Sequence, residues 1–413
     1  KTSKTPLKAK EANISYVVVG TAYVTPPPNE CEKGRILVFR ILNDLGEKKV
    51  QLVSQKDVDG PVFTMCNLKG SLACGIQDKV QVFSWKRQVD TDVENMNNNR
   101  FELVLECGYC SNILVLYLKS QGEFLLNGDM MRSLSLLQYE NFEPTTNSSE
   151  KVSSGKSKKQ IREVARDFNT NYMRAIEILG DSSGSNNFGD YFLGADDSGN
   201  IFATSRRASV TATDSRGRME PQGEFHLGDY INVFSKGTLS SEPIHNAAEQ
   251  SINANTDEQS SSREWGRDND HYQSSTLHGS VSGAIGSVFL IDNEKYSFFS
   301  SLEKAILSNV PSIGGLPHNK WRSFKNERRT CSQRNIIDGD LIESILSPYF
   351  DSSLLDSILQ SLDNELLQER TGAGLASNGS QSMSNVLERQ KAKGEKWKME
   401  DVITRVEEIS RAH

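Results

Sequence analysis

Cys107 and Cys110 stand at Cys-x-x-Cys spacing, which redox centres and half zinc sites use. No second pair follows, and Cys31, Cys66, Cys74 and Cys331 occur singly. A zinc site needs four donors, so free, structural thiols are the favoured reading. The six histidines, at 226, 245, 271, 278, 318 and 413, show no ligand spacing. His226 and His278 adjoin apolar stretches and read as structural. Asp129 and Asp167 would need folding to pair them for acid–base work. Gly155-Lys156-Ser157 ends like a phosphate loop, but Glu150 stands where its first glycine belongs. The glycines at 279, 283 and 286 lack a dinucleotide fingerprint, and Ser282 lacks a nucleophile elbow. No catalytic centre, metal site or cofactor is expected.

Recognition is the chemistry that remains. Residues 165–172 read Ala-Arg-Asp-Phe-Asn-Thr-Asn-Tyr. A short strand over 163–168 would end in a loop made by Asn169, Thr170 and Asn171, all turn formers. That loop would present Arg166, Asp167, Asn169 and Tyr172, poor core material that suits a surface gripping a partner. A second stretch, 320–329, interleaves basic groups with Trp321 and Phe324, a pattern that can hold single-stranded nucleic acid. The favoured alternative packs both aromatics on a domain and leaves the cations in water. The formal net charge of −7 argues against a chain-wide footprint for phosphate backbones.

The elements that must position these groups are mostly short strands. Apolar runs over 16–19, 36–40, 50–55, 62–66, 72–74, 80–85, 101–107, 112–118, 124–126 and 134–139 are separated by turn residues. Examples are Asp59-Gly60, Lys69-Gly70 and Asn127-Gly128-Asp129. The rhythm indicates an all-β architecture from residue 14 to 291, and the nearly continuous apolar run 113–118, within the strand at 112–118, reads as buried on both faces. Five or six propeller blades of about four strands each would fit, although periodicity leaves sandwiches open. Residues 90–100, 145–160, 181–190 and 235–275 are polar and read as flexible insertions.

The period changes near residue 292. Tyr296, Phe299, Leu302 and Ile306 recur at helical spacing. Asp338-Gly339 reads as a turn, with Asp340 capping a helix and Glu343 completing its capping box. Leu354, Leu355, Ile358, Leu359, Leu362 and Leu366 make the clearest amphipathic helix, and Val402, Ile403, Val406 and Ile409 a last one. The domains expected are an extension (1–13), a β part (14–291) and a helical part (292–413). No run of 18 apolar residues suggests a membrane span, and the basic first ten residues lack a signal peptide's apolar core. Free thiols fit a cytosolic or nuclear compartment, where the sequons at Asn13, Asn147 and Asn378 carry no glycan.

Longer stretches carry a family resemblance. They are YVVVGTAY (16–23), GRILVF (34–39), NILVLYLK (112–119), GDMMRS (128–133), ARDFNTN (165–171), FHLGDYINVF (225–234), WRSF (321–324) and IDGDLIES (337–344). In their order and spacing the chain resembles the C-terminal third of the damage-specific DNA-binding protein 1 family, the large subunits of UV-damaged-DNA-binding complexes. Large subunits of splicing factor 3b and of the cleavage and polyadenylation specificity factor share parts of the pattern. GADDSGNI (194–201) is closer to the splicing relative.

The resemblance implies part of a seven-bladed β-propeller, the third of the family, followed by a helical domain. It implies a non-enzymatic adaptor of a cullin-4-type RING ubiquitin ligase, acting in UV-damage recognition and nucleotide excision repair, in nucleus and cytoplasm. Substrate receptors would insert a helical segment into a cleft between propellers. The small subunit of the damaged-DNA-binding complex would be a further partner and would contact DNA. The cullin would dock on an earlier propeller outside this chain. Matching positions put Ala22, Phe63, Leu114, Leu116, Tyr117, Met130, Arg132, Arg166, Tyr172, Asn232, Val233 and Val281 on the receptor-facing surface. For Leu114, Leu116 and Val233, propeller core is the competing reading. Tyr172 stands where the family has Trp, and Phe63 where it often has Tyr. An RNA-processing scaffold, and nucleic-acid binding through 320–329, are the alternatives.

Overall fold

The computed structural model describes residues 16–24, 31–44, 47–87, 101–110, 112–142, 158–179, 191–206, 217–237, 239, 275–373 and 397–411. The expected insertion at 90–100, the one at 181–190 and the extension at 1–13 lie outside these residues. So does most of 145–160 and 235–275. The chain forms two compact units. One comprises Lys1–Met173 with Val210–Arg218, the other Arg174–Ser209 with Met219–His413.

The first unit holds three antiparallel meanders. They are β1 (Tyr16–Ala22), β2 (Gly34–Asp44) and β3 (Glu47–Val58); β4 (Val62–Leu68), β5 (Ser71–Ile76), β6 (Lys79–Arg87) and β7 (Phe101–Cys110); and β8 (Val115–Gln121), β9 (Phe124–Asp129), β10 (Ser133–Phe142) and β11 (Lys158–Arg166). Tight turns set the registers. Lys69 and Gly70 both take positive φ (48° and 80°), the geometry of a two-residue hairpin turn.

The sheets stack face to face, first strand beside first strand and last beside last, as propeller blades do. The middle sheet buries both faces. Cys74, Ile76, Phe83 and Leu103 pack on Ile36, Val38 and Val58 of the sheet before. Leu68, Ala73, Val80 and Val82 pack on Val115, Leu118, Leu125 and Leu137 of the sheet after. Two-sided burial explains the unbroken apolar run of β5. Contact is so close at Gly75 that a Cβ there would lie 2.5 Å from Val115 Cγ1.

The second unit continues the pattern with β12 (Met173–Leu179), β13 (Tyr191–Asp196), β14 (Asn200–Arg206) and β15 (Met219–His226), then β16 (Ile231–Lys236), β17 (Thr276–Ser280) and β18 (Ile285–Val288). Ala175, Leu179, Leu193, Ala195 and Ile201 of the former sheet join Ile231 and Phe234 of the latter in one core.

Helices follow. Asp292 caps α1 (Asn293–Asn309), accepting from Lys295 N at 2.7 Å. After α2 (His318–Trp321) come the ribbon β19 (Phe324–Lys325) and β20 (Thr330–Cys331), α3 (Gly339–Glu343), α4 (Ser352–Ala373) and α5 (Met399–Ser410). Their apolar stripes meet in a separate core of Phe298, Phe299, Leu302, Ile306, Ile342, Ile358, Leu362, Val402, Val406 and Ile409. The mainly β chain with helices toward its C-terminus is the expected fold class.

Several expectations need correction. The segment 145–160 is not polar loop to its end, because Lys158–Gln160 begin β11, which then stops at Arg166 rather than Phe168. Likewise Ser235 and Lys236 belong to β16. The strand expected at 112–118 starts only at Val115 and is not buried on both faces, since Ile113 is exposed and Leu114 and Leu116 half-buried. Asp338, not Asp340, caps α3. Its backbone is extended, and its carboxylate accepts from Leu341 N at 3.4 Å.

Candidate partner-binding surface

Two buried carboxylates build the surface of the first unit. Asp129 Oδ2 accepts from the amides of Ile113 (2.7 Å) and Leu114 (3.3 Å), while Oδ1 accepts from Met131 and Arg132 (both 2.9 Å). Met130 N donates to Leu114 O at 2.9 Å. One acid thus welds the entry to β8 to the β9–β10 turn, fixing half-buried Leu114 beside exposed Met130 and Arg132. Asp167 does the same for the loop after β11. Ser133 Oγ donates to its Oδ2 at 2.7 Å and Asn171 Nδ2 at 3.3 Å, and Asn169 N and Nδ2 reach Oδ1 at 3.0 and 2.8 Å. Carboxylates so engaged are frame, not general acids.

Arg166 is half-buried and held internally. Its Nη2 donates to Glu163 Oε2 at 2.5 Å and to Tyr109 Oη at 3.3 Å, and Tyr109 donates to the same carboxylate. The side chain this loop offers most to solvent is Phe168, while Tyr172 is half-buried. Neither Phe168 nor Ile113 was singled out by sequence. Ile113 sits in an apolar run that reads as strand, and Phe168 at the end of the strand expected over 163–168.

A recurring device aims three of the expected residues. The register of β4 on β5 skips between Val62 and Thr64, that of β8 on β9 between Val115 and Tyr117, and that of β16 on β17 between Ile231 and Val233. The extra residues are Phe63, Leu116 and Asn232. Each is the second residue of its sheet's first strand, at a β-bulge, which re-aims a side chain away from the pleat. Phe63 is consequently 44% exposed, between half-buried Val62 and Thr64. Tyr117, just after its bulge, is half-buried, and Ala22 is exposed where β1 ends without a bulge.

In the second unit Val233 is 54% exposed, which overturns its reading as core. It lies opposite Gly279, which lies opposite exposed Ile285, so a missing side chain leaves both flanks open. Val281 N donates to Tyr230 O at 2.8 Å, and both side chains are exposed. Tyr230 and Ile285 thus extend the expected trio Asn232, Val233 and Val281. The hairpin tip is held by Ser282 donating to Asp229 and by Ser280 Oγ bonded to Ala284 N at 3.1 Å.

The other chemical candidates resolve into structure. Burial raises Cys107 to about 11, so little thiolate forms at neutral pH. Within 320–329 two cations are not wet, contrary to the solvated-run reading. Arg322 is buried on Asp338 Oδ2 (Nε at 2.6 Å) and on the carbonyls of His226 (3.3 Å) and Leu227 (3.1 Å). Arg329 pairs with buried Glu224 and lies 4.3 Å over the Phe324 ring. Phe324 is fully buried beside Phe202, while Trp321 keeps an open face.

Comparison with known proteins places this architecture. The CPSF A subunit region matches residues 2–347. DNA damage-binding protein 1a of Arabidopsis thaliana is 34% identical over 331 residues, 80% of this chain and 25% of that protein. DNA damage-binding protein 1b of the same plant is 35% identical over 332 residues, 80% of this chain and 25% of its own length. DNA damage-binding protein 1 of Solanum lycopersicum is 34% identical over 337 residues, 81% and 26%. The chain spans about a quarter of the length of these relatives. With blade-like sheets followed by helices, and with the family's region covering most of its length, this chain belongs to the CPSF A subunit region family.

Proposed function

We propose that this chain is the partner-holding part of a non-enzymatic scaffold of the damage-specific DNA-binding type, an adaptor in a cullin-4-type RING ubiquitin ligase. The observation that carries the reading is a set of exposed apolar side chains: Phe63 at a bulge, Met130 and Val281 at turns, and Val233 opposite Gly279. Large apolar groups held open on rigid strands are what anchors an interface. In this reading each unit contributes a patch for substrate receptors, and Arg166, Phe168 and Tyr172 touch the partner. The relatives' names, DNA damage-binding proteins, support a link to damage recognition. In this reading the chain would act in repair in nucleus and cytoplasm, with a small DNA-contacting subunit as a further partner. The five sheets would belong to a seven-bladed propeller spanning 14–291, with 292–413 as the helical domain, and the cullin would dock outside this chain.

The test is affinity capture of the full-length parent carrying Phe63→Asp with Met130→Asp. Loss of substrate receptors with retained cullin supports the reading. Unchanged receptor capture by a folded variant refutes the surface. A second reading, an RNA-processing scaffold, is favoured by the GADDSGNI hairpin, and spliceosomal or polyadenylation subunits in the wild-type capture would decide for it. Nucleic-acid binding through 320–329 is weakened by the internal pairing of Arg322 and Arg329.

A further inference from the structure

The second unit has an open cleft of about 440 Å³ that the adaptor reading does not use. Its walls include Leu316, Trp321 and His226, with Lys320, Lys325 and Glu327 around them. Trp321 is 42% and Leu316 48% exposed, large apolar surfaces to leave in water on a folded unit. The indole is held in place rather than loose. It meets His226 edge-on at 5.5 Å, and it lies so close to Gly228 that a Cβ there would come within 2.8 Å of Trp321 Cη2. Burial, with Arg322 nearby, lowers the His226 pKa, so its ring is neutral at pH 7 and the floor carries no charge.

The rim has the opposite character. Arg322 and Arg329 of the same run are paired internally, but Lys320 and Lys325 are exposed and have no ion-pair partner among the described residues. They surround one apolar floor rather than track along a groove. There is one open indole and not a row of stacking platforms, and the acid Glu327 stands in the wall, which suits a polyphosphate poorly. Lysines bearing mobile point charges beside an apolar floor suit carboxylates flanking a bulky side chain. We propose that this cleft is a docking site for an acidic linear peptide carrying one aromatic or large aliphatic anchor, which seats on Trp321 and Leu316 while its carboxylates meet Lys320 and Lys325.

Fluorescence polarisation on the whole chain tests this directly, independently of any ligase partner. The probe is a labelled heptapeptide, Asp-Glu-Glu-Phe-Asp-Glu-Asp, at low salt. Saturable binding is expected. Replacing its Phe by Ala should weaken it by roughly tenfold or more, as burying an aromatic side chain implies. Lys320→Glu with Lys325→Glu should weaken it about as much, and rising salt should erode it. Both lysines are exposed and without an ion pair among the described residues, so the variant should keep the wild-type unfolding midpoint. Leu316→Asp provides a second, independent variant. Absence of binding at low salt, or binding that survives both variants, overturns the proposal. So does tighter binding of a ten-nucleotide oligo-dT through the same lysines, which would make the cleft a nucleic-acid site.

Discussion

Arg322 and Asp338, sixteen residues apart, form a buried ion pair with Nε 2.6 Å from Oδ2, and His318 Nε2 shares that oxygen at 2.9 Å. The pair joins the two family motifs WRSF and IDGDLIES. Through Nη1 the same guanidinium reaches the carbonyls that close β15. Asp338 also caps α3, and its amide donates to Glu303 of α1 at 3.2 Å. Within the second unit, strands and helices are therefore tied at one polar knot. Asn200 of GADDSGNI adds to it from another side, donating to Lys325 O at 2.9 Å. Arg322, Asp338 and Asn200 of these motifs hold the unit together, while Trp321 of WRSF keeps an open face.

The knot predicts an acid limit. Burial alone would raise the Asp338 carboxyl, but the Arg322 and His318 charges outweigh it and leave the pKa lowered. A depressed carboxylate gives stability that is fully present above its unfolded pKa, about 4, and is lost as pH falls through the folded value. Asp338→Ala leaves the Arg322 charge buried without this partner and should cost ~3–5 kcal/mol near pH 7. The cost should shrink as pH drops below about 4. Urea unfolding followed by far-UV circular dichroism at pH 7 and pH 3 checks both; a cost independent of pH counts against the pair.

Glu303 carries the reverse sign. Burial, helped by the Asp338 charge, raises its pKa despite amide bonds from Gln333 and Asp338. A raised acid lowers stability as pH climbs from its unfolded value, about 4.3, to its folded one. Glu303→Gln keeps an acceptor oxygen and removes the titration. It should raise the melting temperature by a few degrees near pH 7.5 and leave it unchanged near pH 3.5. Scanning calorimetry at the two pH values would expose the error if the gain were equal at both.

Much of this was readable one element at a time. Leu354, Ile358 and Leu362 repeat at helical spacing and bury the expected side of α4, and Lys69-Gly70 makes the expected hairpin turn. Local signals of that kind act over a few residues, as the forces behind them do. The knot is different, because nothing near Arg322 in the sequence distinguishes it from Lys320 or Lys325, and its burial depends on Asp338 and on the end of β15. Bulges were equally hidden. An extra residue in VFTMCNL, VLYLKSQ or INVFSK looks like ordinary strand until the partner strand supplies the count. Expected surface positions came from resemblance, and the bulges supply the physical reason that Phe63, Leu116 and Asn232 are turned as they are.

Asp129 should be worth more than any residue it presents. Its two oxygens serve four amides, and Asp129→Ala would leave those donors without this acceptor inside a nearly closed site. Each buried unmet donor costs ~1–3 kcal/mol, so a total loss of at least ~2 kcal/mol is expected after relaxation and hydration of some of them. Hydrogen exchange should speed up at Ile113, Leu114, Met131 and Arg132 before it does in β10. Unchanged protection at those four amides would mean that the loops are held by something else.

The bulge at Phe63 separates its two duties by comparing substitution with deletion. Phe63→Asp changes an exposed side chain and leaves the skipped register intact, so stability should stay within ~0.5 kcal/mol of wild type. Deleting Phe63 instead removes the extra residue. Thr64 to Leu68 are locked to β5, so Val62 must either turn away from the core beside Met65 or drag the Gly60-Pro61 turn inward. That conflict should cost more than 2 kcal/mol, the range of a lost core side chain. Chemical denaturation of both variants decides the matter. Equal stability of the two would show that the bulge is not required for the packing of β4, and a destabilised Phe63→Asp would show that the ring is core after all.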